Sequence, residues 1–321
     1  MSKGTDILEF DDPALVRDLA GAGHANLALI EEAFDVYLEA PGSSVTVNGD
    51  RPSRAGAAEI VRELYARLQR GWPAGPGDVR ALIKAVGKGK IAAASVETII
   101  PFPRRRPIVP KTPRQEKFIK DMSENTIVFG VGPAGTGKTF LATAFGASLL
   151  ARGEVSRFIA CRPAVEAGEN LGFLPGDLNE KVDPYMQPIW DALYMTLGRD
   201  ETERRKLSGE IEVAPLAFMR GRTLSDAFVV IDEAQNATIA QMKMVLTRLG
   251  ERATYAVTGD PSQSDLPRGT QSGLAHALGI LQNIKNIEAT HFEASDVVRH
   301  PLVGKIVEAY EKDAKAALLN L

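Results

Sequence analysis

The sequence predicts an α/β protein: a parallel-sheet domain occupying the C-terminal part of the chain, preceded by a smaller α+β unit. Three observations predict it. From residue 126 onward, short apolar runs recur at Thr126 to Phe129, Arg157 to Cys161, Ile211 to Ala214, Ala227 to Ile231, Thr254 to Val257 and Ile287 to Phe292. Their spacing leaves room for helices between them, as in a doubly wound sheet. The run Ala227 to Ile231 is apolar at every position, which suits a parallel strand covered on both faces. Before residue 72 the pattern differs, with alternating strand signals interleaved with short helical stretches.

The whole chain sets the bounds. Its 321 residues allow about two domains and a sizeable core. At 44% hydrophobic and 25% charged residues the composition is ordinary for a globular protein. A net charge of −3 excludes a polycation, so any nucleic-acid surface must be a local patch. The single cysteine, Cys161, excludes an intramolecular disulfide and fits a reducing compartment. Met1 to Asp6 has no apolar signal core, and no run approaches the ~20 apolar residues of a membrane span. The expectation is a soluble, cytoplasmic protein. The four histidines, His24, His276, His291 and His300, show no metal-ligand spacing.

Residues 5–71 form the first unit. Asp6 to Phe10 reads as a strand, and Pro13 to Ala20 as a short helix with proline near its start. After a turn at Gly21-Ala-Gly-His24, Ala25 to Phe34 has helical periodicity. Two strands, Asp35 to Glu39 and Ser44 to Asn48, join across Pro41-Gly42, and Ser53 is placed as the cap of a helix running to about Arg70. This β-α-α-β-β-α order resembles a KH RNA-binding domain, whose glycine loop clamps a nucleic-acid backbone. Here the turn lacks the final glycine and carries no Lys or Arg, so gripping RNA and contacting protein are both open to it. Residues 72–110 read as linker and junction, with Gly/Pro-rich Gly71 to Gly77 and a helix at Asp78 to Val86. Residues 101 to 120 concentrate Arg104, Arg105, Arg106, Lys111, Arg114, Lys117 and Lys120 against Glu116. That strip is either a solvated linker or a phosphate-contacting surface.

Residues 111–321 form the larger domain. Gly132-Pro133-Ala134-Gly135-Thr136-Gly137-Lys138-Thr139 matches G-x-x-x-x-G-K-[ST] between a strand and a helix. Glycines let the backbone curl so that successive N–H groups point at phosphate oxygens, and the following helix adds its N-terminal dipole. Lys138 is placed to reach the β- and γ-phosphates, and the Thr139 hydroxyl to bind Mg²⁺. Ala227 to Ile231 then delivers Asp232 and Glu233 to the ligand edge of the sheet. There Asp232 can hold Mg²⁺ through its water shell, and Glu233 can accept the attacking water's proton. Thr258-Gly-Asp260-Pro-Ser-Gln263 repeats the strand, turn and polar tip, with Gln263 placed to orient water at a γ-phosphate.

Phosphate loop, Asp-Glu-Ala-Gln and Gly-Asp-Pro-Ser-Gln together resemble the first motor domain of superfamily 1 helicases, a RecA-like P-loop fold. More specific are Arg162 to Glu169, Leu171 to Asp177, Lys181 to Pro184 and Asp296 to Val303. They resemble the PhoH-like family of ATPases, in the bacterial form with an N-terminal KH-like domain. The resemblance implies ATP and Mg²⁺ as ligands and a role in RNA processing, with a ribosome-associated endoribonuclease as a partner. It also places Gln115 as a reader of the adenine edge, and Arg162 to Glu169 where related motors touch nucleic acid. Superfamily 1 helicases complete their ATP site with arginines from a second motor domain, for which this chain has no room after Phe292. An arginine from a neighbouring subunit is therefore expected, in a head-to-tail ring, by analogy a hexamer. Arg299, Arg220 and Arg222 are the candidates. The expected function is a Mg²⁺-dependent ATPase acting on or near RNA; a nucleotide-gated interaction module with slow turnover and a small-molecule kinase are the alternatives.

Overall fold

The computed structural model describes residues 4–86, 99–103, 105–163, 178–267 and 269–298. The N-terminal unit runs β1 (Gly4–Glu9), α1 (Pro13–Ala20), a single 3-10 turn at Ala22–His24, α2 (Ala25–Phe34), β2 (Tyr37–Glu39), β3 (Ser44–Gly49) and α3 (Arg51–Gln69). Its strands lie in the order β1-β3-β2, both pairs antiparallel. One face of β3 supplies Val45 and Val47 to a core closed by Leu19, Leu27, Ile30, Ile60 and Leu64 from the helices. Helix α3 starts earlier than the sequence suggests. Asp50, rather than Ser53, is its cap, accepting the Ser53 N–H at 2.9 Å. Either residue type can cap, but only Asp50 has the extended backbone that a cap needs.

The stretch between the units is structured at both ends. Helix α4 (Pro76–Val86) buries Val79 and Leu82 in the N-terminal core. Strands β4 (Ile100–Phe102) and β5 (Arg105–Ile108) form a small antiparallel pair, and Ile100 and Phe102 enter the core of the larger domain. Glycine and proline read as a linker in the sequence, yet each segment carries two apolar anchors whose burial contributes roughly 1.5–3 kcal/mol apiece.

The larger domain continues through α5 (Pro113–Glu124), β6 (Ile127–Val131), α6 (Lys138–Arg152), β7 (Arg157–Arg162), α7 (Leu178–Leu197) and α8 (Arg199–Leu207). Then follow β8 (Ile211–Pro215), β9 (Ala227–Ile231), α9 (Ile239–Leu246), β10 (Thr254–Gly259), α10 (Gly273–Leu281) and β11 (Ile287–His291). Six strands form one sheet in the order β11-β6-β10-β9-β7-β8, every pair parallel. Every residue of β6 and β9 is buried. Alternate side chains serve opposite faces. Val128, Phe228 and Val230 pack with Phe118, Leu141 and Leu193 of α5, α6 and α7. Phe129, Val229 and Ile231 pack with Met242 and Leu274 of α9 and α10. This is the doubly wound, RecA-like sheet the sequence predicts, with a smaller antiparallel α+β unit before it. No helix among the described residues is long and apolar enough to cross a membrane.

Candidate nucleotide site

Because all six strands run the same way, the ends of β6, β7, β9, β10 and β11 meet along one edge of the sheet. Strand β10 lies between β6 and β9. Its tip, Thr258 to Asp260, therefore arrives between the phosphate loop and the Asp232-Glu233 pair.

The loop joins β6 to α6. Gly132 (φ 137°), Gly135 (φ 80°) and Gly137 (φ 88°) take backbone conformations that L side chains rarely adopt. A Cβ at Gly132 would stand 2.3 Å from the Phe292 carbonyl oxygen, so no other residue fits there. Its N–H donates to Gly259 O at 3.1 Å, fastening the loop to the tip of β10. Lys138 is only 8% exposed, and its Nζ donates to the carbonyls of Gly132 (2.6 Å) and Pro133 (2.8 Å). Burial pushes its pKa down, while the charges of Asp260, Glu233 and Asp232 pull it back up. An ammonium held on the loop's own carbonyls can exchange them for an anion seated in the loop.

Asp232 is 3% exposed. Its Oδ1 accepts the hydroxyls of both Thr139 and Thr258, each at 2.7 Å. Glu233 stands in the left-handed region (φ 49°) just past the strand, which turns its side chain out of the sheet's own register. Its Oε1 pairs with Arg162 at 2.9 Å, and its Oε2 accepts the Gln235 side-chain amide. Gln235 Oε1 in turn accepts the Asp260 N–H at 3.0 Å. A chain of contacts thus runs from the end of β7 through Glu233 and Gln235 to the tip of β10. Gln263 is exposed on that tip, its backbone N–H donating to Asp260 O at 3.0 Å.

Gln115, which the resemblance places at the base edge, is held against the phosphate loop. It is 5% exposed. Its Nε2 donates to Thr136 O at 2.9 Å and its Oε1 accepts the Lys111 N–H at 2.7 Å, so the amide braces the phosphate loop. Segment 292–298 braces the loop's other side. Val298 N–H donates to Gly135 O at 3.0 Å, and Arg114 reaches across from α5 to Glu293 and to Asp296 (3.3 Å).

Other expected residues fall elsewhere. Arg222 is committed to Glu212 of the edge strand β8 by two bonds of 2.6 and 2.7 Å, which hold the Glu212 carboxyl below its ordinary range. Arg220 is exposed. Arg299 and Arg104 lie outside the described residues, as do residues 164–177. The basic strip is largely neutralised: Lys111 pairs with Asp78, Arg114 with Asp296, Lys117 with Asp121 and Lys120 with Glu124. The partners were invisible to a count along the strip because all of them lie outside it. Arg105 and Arg106 are exposed. Cys161, fully buried beneath the site, has its thiol pushed up to about 12 by burial, the reverse of a nucleophile. The roles of Arg162 and Thr258 were not read from the sequence; Thr258 was legible as the polar residue at the end of an apolar strand.

Comparison with known proteins agrees with this geometry. A family model described as "PhoH-like protein" matches residues 107–311. A PhoH-like protein of Bacillus subtilis is 46% identical over 308 residues, covering 95% of this chain and 96% of its own length. One from Mycobacterium tuberculosis H37Rv is 47% identical over 302 residues, covering 94% and 86%. The Escherichia coli K12 protein PhoH is 43% identical over 206 residues, covering 64% of this chain and 58% of itself.

Proposed function

The chain belongs to the PhoH-like protein family, and from that premise we propose that it is a Mg²⁺-dependent ATPase acting on or near RNA. One observation carries the reading. The hydroxyl of Thr139, at the end of the phosphate loop, stands 2.7 Å from Asp232, which lies 93 residues later in the chain. Two hard oxygen donors beside a loop built for phosphates fit Mg²⁺, which takes few protein ligands and completes its shell with water and phosphate. When bound, the ion would neutralise charge developing on the transferring phosphate.

The protein's own groups do the rest. N–H groups of residues 132–139 receive the phosphate oxygens, and Lys138 turns its ammonium from the Gly132 and Pro133 carbonyls onto them. Glu233, released from Arg162, takes a proton as water attacks the γ-phosphorus and the bond to the β–γ bridging oxygen breaks. Gln263, exposed at the β10 tip, is available to orient that water. The Arg162–Glu233 pair also favours a second reading, a nucleotide-gated module with slow turnover, since it engages the base in the structure as it stands.

RNA, an endoribonuclease partner and a hexameric ring remain part of the proposal. Arg105 and Arg106 are the exposed cations for a nucleic-acid backbone. Arg222, tied to Glu212, gives way to exposed Arg220 or to Arg299 as the arginine offered to a neighbouring subunit. The test is phosphate release from Mg²⁺-ATP with and without single-stranded RNA. Release stimulated by RNA supports the ATPase; tight ATP binding without release selects the switch; absence of ATP binding in a calorimetric titration ends both readings.

A further inference from the structure

A cavity of 440 Å³ lies beside the phosphate loop, between the N-terminal unit and the larger domain. Its walls come from three segments that the sequence keeps far apart. Arg80, Ala81 and Lys84 of α4 form one wall, Lys111 and Thr112 at the start of α5 a second, and Val297 and Val298 a third. One of these walls is hydrogen-bonded to the loop itself and a second is joined to it through Gln115. Val298 N–H reaches Gly135 O at 3.0 Å. Lys111 N–H reaches Gln115 Oε1 at 2.7 Å, and the same side chain holds Thr136 O at 2.9 Å. The α4 wall is fastened to the others through Lys84, which donates to Ser295 O, and through Asp78, 3.7 Å from the Lys111 ammonium.

We infer that this cavity receives the base of a purine nucleotide whose phosphates occupy the Gly132–Thr139 loop, so that the N-terminal unit contributes directly to nucleotide binding. The inference rests on the ATP-binding reading above and adds the part of the site that reading leaves open. The volume lies within the range of about 300–1,000 Å³ usual for small-molecule pockets. Ala81, Val297 and Val298 offer apolar surface for a flat ring, and Val298 is 37% exposed, an apolar side chain left facing the opening. Arg80, Lys84 and Lys111 carry N–H donors and no acceptors. Purine ring nitrogens are acceptors, and a guanidinium also stacks on an aromatic face. Gln115 spends one amide hydrogen and one oxygen lone pair on backbone and keeps one of each, and the cavity opens one turn before it, where a base would also meet Arg80, Lys84 and Lys111.

The experiment separates base from phosphates by titrating the full-length protein with Mg²⁺-ATP and, separately, with Mg²⁺-tripolyphosphate. Two variants are used, Ala81→Trp to fill the cavity and Arg80→Glu to reverse its charge at a half-exposed position. Both should weaken ATP roughly tenfold or more while leaving tripolyphosphate within about twofold of wild type, because only the base loses its contacts. Retained tripolyphosphate binding shows that the variant is folded. If either variant retains tripolyphosphate and binds ATP as wild type does, or if wild type binds tripolyphosphate as tightly as ATP, the cavity holds no base. Wild type that binds neither ligand defeats the ATP-binding reading instead, an outcome distinct from both.

Discussion

Among the described residues, two turns that lead into helices each carry more than one left-handed glycine, and they have little else in common. At the start of α2, Gly21 (φ 75°), Gly23 (φ 58°) and His24 (φ 61°) turn the chain; at the start of α6, Gly132, Gly135 and Gly137 do so. A Cβ at Gly23 would meet nothing within 4 Å, whereas one at Gly132 would collide with Phe292 O at 2.3 Å. The first turn is held by local backbone bonds, Gly21 N–H donating to Arg17 O (3.3 Å) and Asp18 O (3.2 Å) and His24 N–H to Gly21 O (3.1 Å). The second is held from four directions, by Gly259, Gln115, Val298 and its own Lys138. Curled backbone is therefore the easy half of an anion site. The other half is a buried cation, a hydroxyl paired with a buried carboxylate and neighbours that fix the loop before the ligand arrives.

The largest expected effect tests that second half through its acid. Glu233→Gln preserves shape and hydrogen bonding but cannot take a proton, so ATP should bind as before while turnover falls by ~10²–10⁴-fold, the usual contribution of a general base. Single-turnover kinetics with a parallel affinity measurement would decide it; turnover near wild type would strip Glu233 of the role.

Next in size is the cation. Lys138→Ala removes charge-assisted bonds worth about 1.5–3 kcal/mol each, so ATP affinity should fall by roughly two orders of magnitude. The fold should persist, since Nζ bonds only to the loop's own carbonyls and to Thr136. Placing a lysine in the other turn, as Gly23→Lys, should create no ATP site. An ATP affinity unmoved by Lys138→Ala would mean that glycine curl alone suffices, and the contrast between the turns would collapse.

Much of this was legible in the sequence because the relevant signals are local. A run apolar at every position, such as Ala227 to Ile231, cannot sit half-exposed, and the glycines of the loop fix a backbone as well as a spacing. The features that were not legible depend on residues distant in the chain. Nothing near Arg114 announces Asp296, and nothing near Arg162 announces Glu233, because an ion pair leaves no periodicity. The same holds for Gln115: nothing near it in the chain announces the Thr136 carbonyl that its amide holds. In the stretch at 72–110 the helix was legible from its periodicity, while the packing of Val79 and Leu82 against one core and of Ile100 and Phe102 against the other was not, because it depends on distant residues.

A smaller effect concerns how the acid is held. Arg162 and Gln235 occupy both oxygens of Glu233, a restraint with no counterpart in the first turn. Arg162→Ala should leave ATP affinity unchanged and raise basal turnover a few-fold, while reducing any further stimulation by RNA. A fall in turnover would show instead that Arg162 stabilises charge on the transferring phosphate.

The smallest effect belongs to the first turn, and it asks whether that turn touches RNA at all. His24 is exposed and left-handed, at the position where a glycine-closed clamp would have its last glycine. Replacing it with glycine relieves a strain of about 1–2 kcal/mol but adds roughly 0.5–1 kcal/mol of unfolded-chain entropy. The net stability change should stay within about 1 kcal/mol, a shift of a few degrees in Tm. A turn that gripped an RNA backbone would bring its N–H groups against phosphates, and the Cβ and imidazole of His24 would stand in the way. With no lysine or arginine in the turn, His24→Gly should leave single-stranded RNA affinity unchanged. The double reversal of Arg105 and Arg106 to Glu should instead weaken that affinity and flatten its salt dependence, as expected when phosphate contacts and their released counterions are lost. If His24→Gly tightens RNA binding several-fold and the arginine reversal does nothing, the first turn is the nucleic-acid clamp. The two turns would then divide one ligand chemistry between them, RNA phosphate at α2 and ATP phosphate at α6.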